Sequence, residues 1–260
     1  MEHTICSKSR SSLLGNVHSG ESCPVAIERI LKKSEVKTVV CDKIEIPREV
    51  VILRKISPHP NIVALLYWAK IRPEECMVVF EYHESNLKDY LNVITRSRET
   101  NGLTEDESKR IMCQLLLACK HLEDYCIYHR NLKLENIVIG TDGNIKLIDF
   151  SLAVEAEESD QYIEKTGSII PPEMYGHVTY KQSTAQVWIL GSIFYQLFER
   201  IEPFQRERVI CKALGPVMFS KYNRPSEECV ELMEWMLNVD PNRRPQCIDE
   251  VLDHEWIRHD

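Results

Sequence analysis

The feature that most constrains the fold is a change of hydrophobic period near residue 85. Before it, short runs of β-forming residues at 25–27, 62–66 and 76–82 predict strands, with one helical pattern at 47–56. After it, apolar residues recur at helical spacing, most clearly over 104–125. A strand-rich part followed by a helix-rich part predicts an α+β fold, with a junction near residues 81–84.

Two local signals refine the helix-rich part. Thr104 followed by Glu107 forms a capping box, which predicts where the helix over 104–125 begins. Residues 137–139 and 145–148 read as two short strands, joined through the glycine-containing stretch 140–144. Helical patterns at 188–198 and 229–237 predict two further core helices.

Composition excludes several classes of function. The 260-residue chain carries 40 acidic and 32 basic residues, a net charge of −8, which argues against broad binding to nucleic acids or anionic membranes. No run approaches the roughly 18 apolar residues of a membrane span, and the N-terminus lacks a secretory pattern. The ten cysteines have no Cys-x-x-Cys spacing, so we expect reduced thiols, with a disulfide framework or a zinc site as the alternative. We therefore expect a cytoplasmic or nuclear monomer.

An ordered set of motifs then becomes specific. The segments resemble, in order and spacing, the landmarks of protein kinases across nearly the whole chain. They are Val25-Ala26-Ile27-Glu28, His59-Pro60-Asn61-Ile62-Val63, His129-Arg130-Asn131-Leu132-Lys133-Leu134-Glu135-Asn136, Asp149-Phe150-Ser151, Pro171-Pro172-Glu173 and Asp240-Pro241-Asn242-Arg243-Arg244-Pro245. The resemblance implies one bilobal α+β domain over 1–260, with an N-lobe at about 1–80, a hinge at 81–84 and a C-lobe at 85–260.

Within kinases the chain is most similar to the Pim branch of the calmodulin-kinase-like group. The segments 24–27, 47–53, 146–150 and 183–188 support this assignment. The hinge Glu81-Tyr82-His83 departs from it, because it lacks the proline typical of Pim kinases.

The resemblance assigns roles to particular residues. Kinases bind ATP and Mg²⁺ between their lobes. The adenine and phosphate site would involve Gly15, Val17, Ala26, the gatekeeper Phe80, the backbone of Glu81 and His83, Val138, and Glu49 of the helix after the third strand. Asn136 and Asp149 correspond to the metal ligands, and Lys133 to the lysine that meets the γ-phosphate. Leu53, Leu65, His129 and Phe150 correspond to a stack that links the lobes, and Glu173 and Arg244 to a buried ion pair.

Three departures affect the chemistry of this site. Glu28 stands where kinases carry the lysine that contacts the α- and β-phosphates and pairs with the glutamate matching Glu49. Asn131 stands at the position of the aspartate that accepts the substrate proton, and an amide is not a useful base near neutral pH. Aligning Gly15 with the end of the glycine-rich loop places Arg10 and Ser12 at its first two glycine positions.

These departures predict a catalytically impaired kinase-like protein, a pseudokinase, that acts as a regulatory or scaffolding module. Its partners would be proteins: an active kinase, its regulators or its substrates. ATP and Mg²⁺ binding would be weak or absent. The alternative is a divergent Pim-like serine/threonine kinase that still transfers the γ-phosphate of ATP to proteins.

Overall fold

A computed structural model describes residues 5–7, 10–19, 21–31, 37–41, 44–156, 170–175, 180–201, 203, 217, 219–220 and 224–259. The N-terminal elements are β1 (Ile5–Ser7), β2 (Arg10–Ser19), β3 (Glu21–Leu31), β4 (Thr38–Cys41), β5 (Ile44–Pro47), α1 (Arg48–Ile56), β6 (Leu65–Arg72) and β7 (Glu75–Glu81). Five strands form an antiparallel sheet in the order β1-β2-β3-β7-β6, and β4 pairs with β5 in a separate hairpin. Among its described residues, this lobe therefore contains a five-stranded sheet, a separate two-stranded hairpin and the helix α1.

The C-terminal part is mainly helical. Its elements are β8 (Ser85–Asn86), α2 (Leu87–Arg98), α3 (Glu105–Asp124), β9 (Ile127–Tyr128), β10 (Ile137–Ile139), β11 (Ile145–Leu147), β12 (Val154–Glu155), α4 (Gln182–Glu199), α5 (Glu227–Met236), α6 (Ile248–Leu252) and α7 (Glu255–Arg258). Strands β11, β10 and β8 form one small sheet, and β12 pairs with β9. The predicted bilobal α+β architecture is confirmed.

Side-chain caps fix where three helices begin. Asn86 accepts a hydrogen bond from the Asp89 amide at the start of α2, and Ser226 caps α5 in the same way. The capping box predicted for α3 is present: the Thr104 hydroxyl accepts from the Glu107 amide, and the Glu107 carboxylate accepts from the Thr104 amide. Local sequence therefore determines these boundaries.

The C-lobe core is organised around α4, which is buried along most of its length. Arg244 is 2% exposed and donates two hydrogen bonds to the Glu173 carboxylate, at 2.7 and 2.8 Å. Its guanidinium also lies over the Trp188 ring, 4.7 Å from the centroid. The ion pair expected from the sequence is thus formed, and it ties the loop before α4 to the segment before α6.

Some predicted elements differ in extent. Residues 62–64 lie outside the strands, and β6 begins at Leu65 and continues to Arg72, past the predicted end. The hairpin of β4 and β5 has no counterpart in the prediction. Hairpins of this length are held by cross-strand pairs, which hydrophobic period alone does not identify.

Among the described residues, no helix is both long enough and apolar enough to cross a bilayer. Free thiols are found at Cys76, Cys113, Cys119, Cys126, Cys229 and Cys247, and of these Cys119 and Cys229 are buried. Burial raises the pKa of both thiols, because the thiolate would lose its hydration there.

Candidate functional site

The motif residues of the C-lobe converge on a loop between β9 and β10. His129 is fully buried, and its Nε2 lies 2.9 Å from the Ile148 carbonyl oxygen, while its Nδ1 accepts a hydrogen bond from the Asn131 amide at 3.2 Å. Its ring also meets Phe150 edge-on, with centroids 4.7 Å apart. Burial lowers the pKa of His129 to about 4, so the ring is neutral and structural.

Asn131 faces Asp149 across the loop. Its side-chain nitrogen donates to Asp149 Oδ2 at 2.8 Å. An amide presenting its N–H group to a carboxylate acts as a donor, and it has no basic lone pair on that nitrogen for a substrate proton. The structure therefore brings Asn131 to the site as a partner of Asp149.

Asn136 and Lys133 occupy the same loop. The Asn136 side chain donates to the Asn131 carbonyl oxygen at 2.8 Å, which closes the loop on itself. The Lys133 backbone carbonyl accepts from the Asn136 amide at 2.9 Å, just before a short 3-10 helix, Leu134–Asn136. The structure thus gathers Asn131, Lys133, Asn136 and Asp149, four of the residues selected from the sequence.

Ser151 is a site residue whose role the sequence did not reveal. Its hydroxyl donates to Asp149 Oδ1 at 2.6 Å, and its backbone amide approaches the same oxygen at 3.4 Å. Asp149 itself has a left-handed backbone, with φ 62° and ψ 70°, which aspartate tolerates better than most residues. The sequence signal was the replacement of glycine by a residue with a hydroxyl group, directly after Asp149 and Phe150.

A magnesium ion bound here would share the Asp149 carboxylate with two hydrogen-bond donors, because each carboxylate oxygen has more than one lone pair. A carboxylate binds Mg²⁺ through oxygen lone pairs at about 2.0–2.1 Å. Both oxygens of Asp149 already accept hydrogen bonds, one from Asn131 and one from Ser151.

The glutamate of α1 reaches the same region from the N-lobe. Glu49 is 3% exposed, and its Oε1 accepts the backbone N–H of Phe150 at 3.0 Å. Glu28 is half-buried in the middle of β3, where its neighbours across the sheet are Ser12 and Val78. An acid, Glu28, thus stands where the resemblance to kinases places a cation.

The hinge is held by the side chain of its first residue. Glu81 Oε1 lies 2.8 Å from Lys146 Nζ and accepts from the Ala64 amide at 2.6 Å. His83 Nε2 lies 3.7 Å from the other Glu81 oxygen. The nearby His83 ring, the Lys146 ammonium and the Ala64 amide together outweigh burial and lower the Glu81 pKa to about 2. Glu81 thus ends β7 beside Lys146, a partner that sequence reasoning missed, and the role of Glu81 and His83 in binding adenine stays a prediction.

The apolar residues predicted to contact adenine lie in the strands β3, β7 and β10. Ala26 pairs with Phe80 across β3 and β7, and Phe80 and Val138 are 8% and 6% exposed. The register of the first hairpin requires a correction: Leu14 lies opposite Ala26, and Val17 lies opposite Cys23. Leu14, rather than Val17, is therefore the cross-strand neighbour of Ala26.

The glycine-loop assignment changes for the same reason. Gly15 lies in the middle of the ten-residue strand β2, opposite Val25, and Arg10 begins that strand. The connection between β1 and β2 is residues 8 and 9, which lie outside the described residues, and residues 5–14 contain no glycine. Gly15, Arg10 and Ser12 are thus strand positions, because the hairpin pairs continuously from Ser19 opposite Glu21 to Arg10 opposite Ile30.

Comparisons with known proteins agree with this geometry. Relatives include Serine/threonine-protein kinase PSK2 of Saccharomyces cerevisiae, 28% identical over 249 residues, and CBL-interacting serine/threonine-protein kinase 13 of Arabidopsis thaliana, 30% identical over 259 residues. The matches cover 93% and 95% of this chain, but only 22% and 48% of those relatives, so the chain spans less than half of their length. Serine/threonine-protein kinase pim-2 of Danio rerio is 29% identical over 222 residues, which cover 82% of this chain and 68% of that protein.

A solved structure and a family model complete the comparison. The Cydia pomonella granulovirus kinase PK-1 superposes with a TM-score of 0.77 at 19% identity, covering 98% of this chain and 93% of that one. At that identity the likeness shows the fold alone. The model of the protein kinase domain matches residues 9–257. The chain belongs to the protein kinase family.

Proposed function

We propose that this chain is a catalytically impaired member of the family that serves as a regulatory or scaffolding module for other proteins. The observation that carries the proposal is the Asn131 side chain, which donates its amide to Asp149 at the position where a base should accept the substrate proton. Loss of a general base typically slows a reaction by about 10²- to 10⁴-fold. The partners would be an active kinase, its regulators or its substrates, met in the cytoplasm or nucleus.

Charge at the polyphosphate position adds a second, independent obstacle. Glu28 replaces a cation, and Glu49 remains buried beside the Phe150 amide. A phosphate group close to carboxylates in a partly buried site is repelled, because the low dielectric strengthens every Coulomb interaction. The remaining fold is intact, which suits a protein that presents surfaces to others.

Phosphoryl transfer from labelled ATP tests the proposal. We expect the purified wild-type chain to transfer no more phosphate than its Asp149→Asn variant. Glu28→Lys combined with Asn131→Asp should raise transfer by about 10²-fold or more, because it restores both the cation and the base. Adding Asp149→Asn to that double variant is the matched control and should abolish the gain.

A divergent, active serine/threonine kinase is the second candidate. It is favoured by the assembled stack in which Leu53, His129 and Phe150 are all fully buried, since this arrangement links the lobes. Wild-type transfer that Asp149→Asn abolishes would support this candidate and contradict the first. Lys8 lies in the connection between β1 and β2, outside the described residues, and Lys8→Ala would then test whether a lysine there supplies the missing cation.

A further inference from the structure

The carboxylate of Asp149 is held by donors on both of its oxygens. Ser151 Oγ donates to Oδ1 at 2.6 Å, a length typical of a charge-assisted O–H···O⁻ hydrogen bond. Asn131 Nδ2 donates to Oδ2 at 2.8 Å. The Asn131 side chain is itself buried, 8% exposed, so the second donor is not displaced by bulk water without cost.

Each of the two hydrogen bonds to Asp149 depends on the residue type at position 131 or 151. If position 131 were an aspartate, this hydrogen bond would be lost and Asp149 Oδ2 would be close to a second negative charge. If position 151 were glycine, Oδ1 would keep only the backbone amide at 3.4 Å. The hydrogen-bond donors of Asn131 and Ser151 therefore stabilise the negative charge of Asp149, as a divalent cation would do in their place.

We propose that Ser151 and Asn131 form a lock that takes the place of the metal ion at Asp149. The lock holds the loop in its folded geometry without a divalent cation, and the Ser151 hydroxyl competes with a cation for the Asp149 carboxylate. The inference deepens the proposed function and rests on it, since it concerns the same impaired site. Ser151 is here a positioning residue that controls metal access.

Removing the hydroxyl should open the site to metal. The experiment is a titration of the full chain with Mn²⁺ in the absence of nucleotide, followed by the EPR signal of the free ion. We expect Ser151→Ala to bind Mn²⁺ about tenfold or more tightly than the wild type, because one competing hydrogen bond to a charged group is gone. Ser151→Thr keeps a hydroxyl and serves as the matched control, which should bind like the wild type.

Thermal unfolding supplies a readout that does not depend on tight binding. In EDTA, Ser151→Ala should melt a few degrees below the wild type, and added Mg²⁺ should restore much of that loss in the variant while leaving the wild type unchanged. Ser151→Gly, which also lacks the hydroxyl, repeats the test should the alanine variant fold poorly.

The outcomes separate this inference from the proposed function. Wild-type binding of Mn²⁺ as tight as that of Ser151→Ala would overturn the lock. So would an Asp149→Asn substitution that weakens Mn²⁺ binding by the same factor in the wild type and in Ser151→Ala. Either result leaves the transfer assay to decide whether the chain is a catalyst. Conversely, measurable transfer by the wild type would overturn the proposed function, while the nucleotide-free titration would still decide whether Ser151 competes with metal.

Discussion

At the scale of single residues, His129 shows how burial assigns a chemical state. The ring is fully buried and accepts the Asn131 amide at Nδ1, so Nε2 carries the hydrogen that points to the Ile148 carbonyl. Burial lowers its pKa to about 4, although the nearby charge of Asp149 acts in the opposite direction. The histidine is therefore a structural link between Phe150 and the loop.

A pH dependence of stability follows from this state. The folded pKa of about 4 lies below the unfolded value near 6.5, so the unfolded chain takes up the proton first as the pH falls. The free energy of unfolding should hold above pH 6.5 and decrease between pH 6.5 and 4, by about 3 kcal/mol in total. Urea denaturation at pH 7, 6 and 5 measures this loss.

The control for that prediction is His129→Phe, which keeps an aromatic ring against Phe150 and cannot titrate. Burial also lowers the pKa of His59, so some pH dependence remains in the variant. The variant should be less stable at pH 7 but should lose most of the decrease between pH 6.5 and 5. An unchanged slope would contradict the assignment.

At this scale the sequence predicted which site residues are replaced better than it predicted the hydrogen bonds between them. Glu28 and Asn131 were recognisable because each replaces a residue whose charge the chemistry needs. The hydrogen bond from Ser151 to Asp149 was not, because it depends on a side-chain rotamer and on the left-handed backbone of Asp149. Whether Asn131 and Glu28 abolish transfer stays a prediction.

At the scale of elements, local signals determined the helices and non-local pairing determined the first hairpin. The capping box of α3 is formed by residues three apart, so the sequence contains all of it. The register of β2 against β3 depends on where the chain turns, and it places Leu14, not Val17, opposite Ala26.

One glycine tests how tightly the helical elements pack. A Cβ atom at Gly102, between α2 and α3, would lie 2.0 Å from the Phe198 carbonyl oxygen and 2.5 Å from that of Leu197. The next residue, Leu103, also donates its amide to the Leu197 oxygen at 2.8 Å, so the backbone cannot move away freely. Gly102→Ala should lower the free energy of unfolding by about 3 kcal/mol.

Gly143 is the matched comparison for that substitution. Its φ of 78° is left-handed, but no atom lies within 4 Å of a Cβ built there. Gly143→Ala should therefore cost only about 1 kcal/mol, from backbone strain. Equal losses for the two variants in urea denaturation would show that the contact between Gly102 and α4 does not contribute.

At the scale of the whole molecule, the lobes are joined through α1. Glu49 accepts a hydrogen bond from the Phe150 amide of the C-lobe. Lys55 Nζ, also in α1, lies 2.8 Å from Oε1 of Glu155 in β12. The second pair is half-exposed on both sides and contributes little. The bilobal architecture was predictable from the ordered motifs. The contacts that join the lobes were not, because they depend on how the two lobes are positioned relative to each other.

The buried contact gives the sharper prediction. Glu49→Gln keeps an oxygen that accepts the Phe150 N–H, whereas Glu49→Ala removes the acceptor and leaves a buried amide without a partner, at a cost of about 1–3 kcal/mol. Hydrogen exchange of a peptide containing Phe150 should accelerate in Glu49→Ala, because the loop then opens more often, and should stay near the wild-type rate in Glu49→Gln.

The same pair of variants distinguishes a hydrogen bond from a charge effect. If the negative charge of Glu49 were what holds α1 against the C-lobe, Glu49→Gln would accelerate exchange as much as Glu49→Ala does. In a kinase whose glutamate pairs with a lysine, the charge is required for that pairing. The neutral amide of Glu49→Gln can still accept the Phe150 N–H, so we expect α1 to remain docked through that hydrogen bond, the Lys55–Glu155 pair and its apolar face.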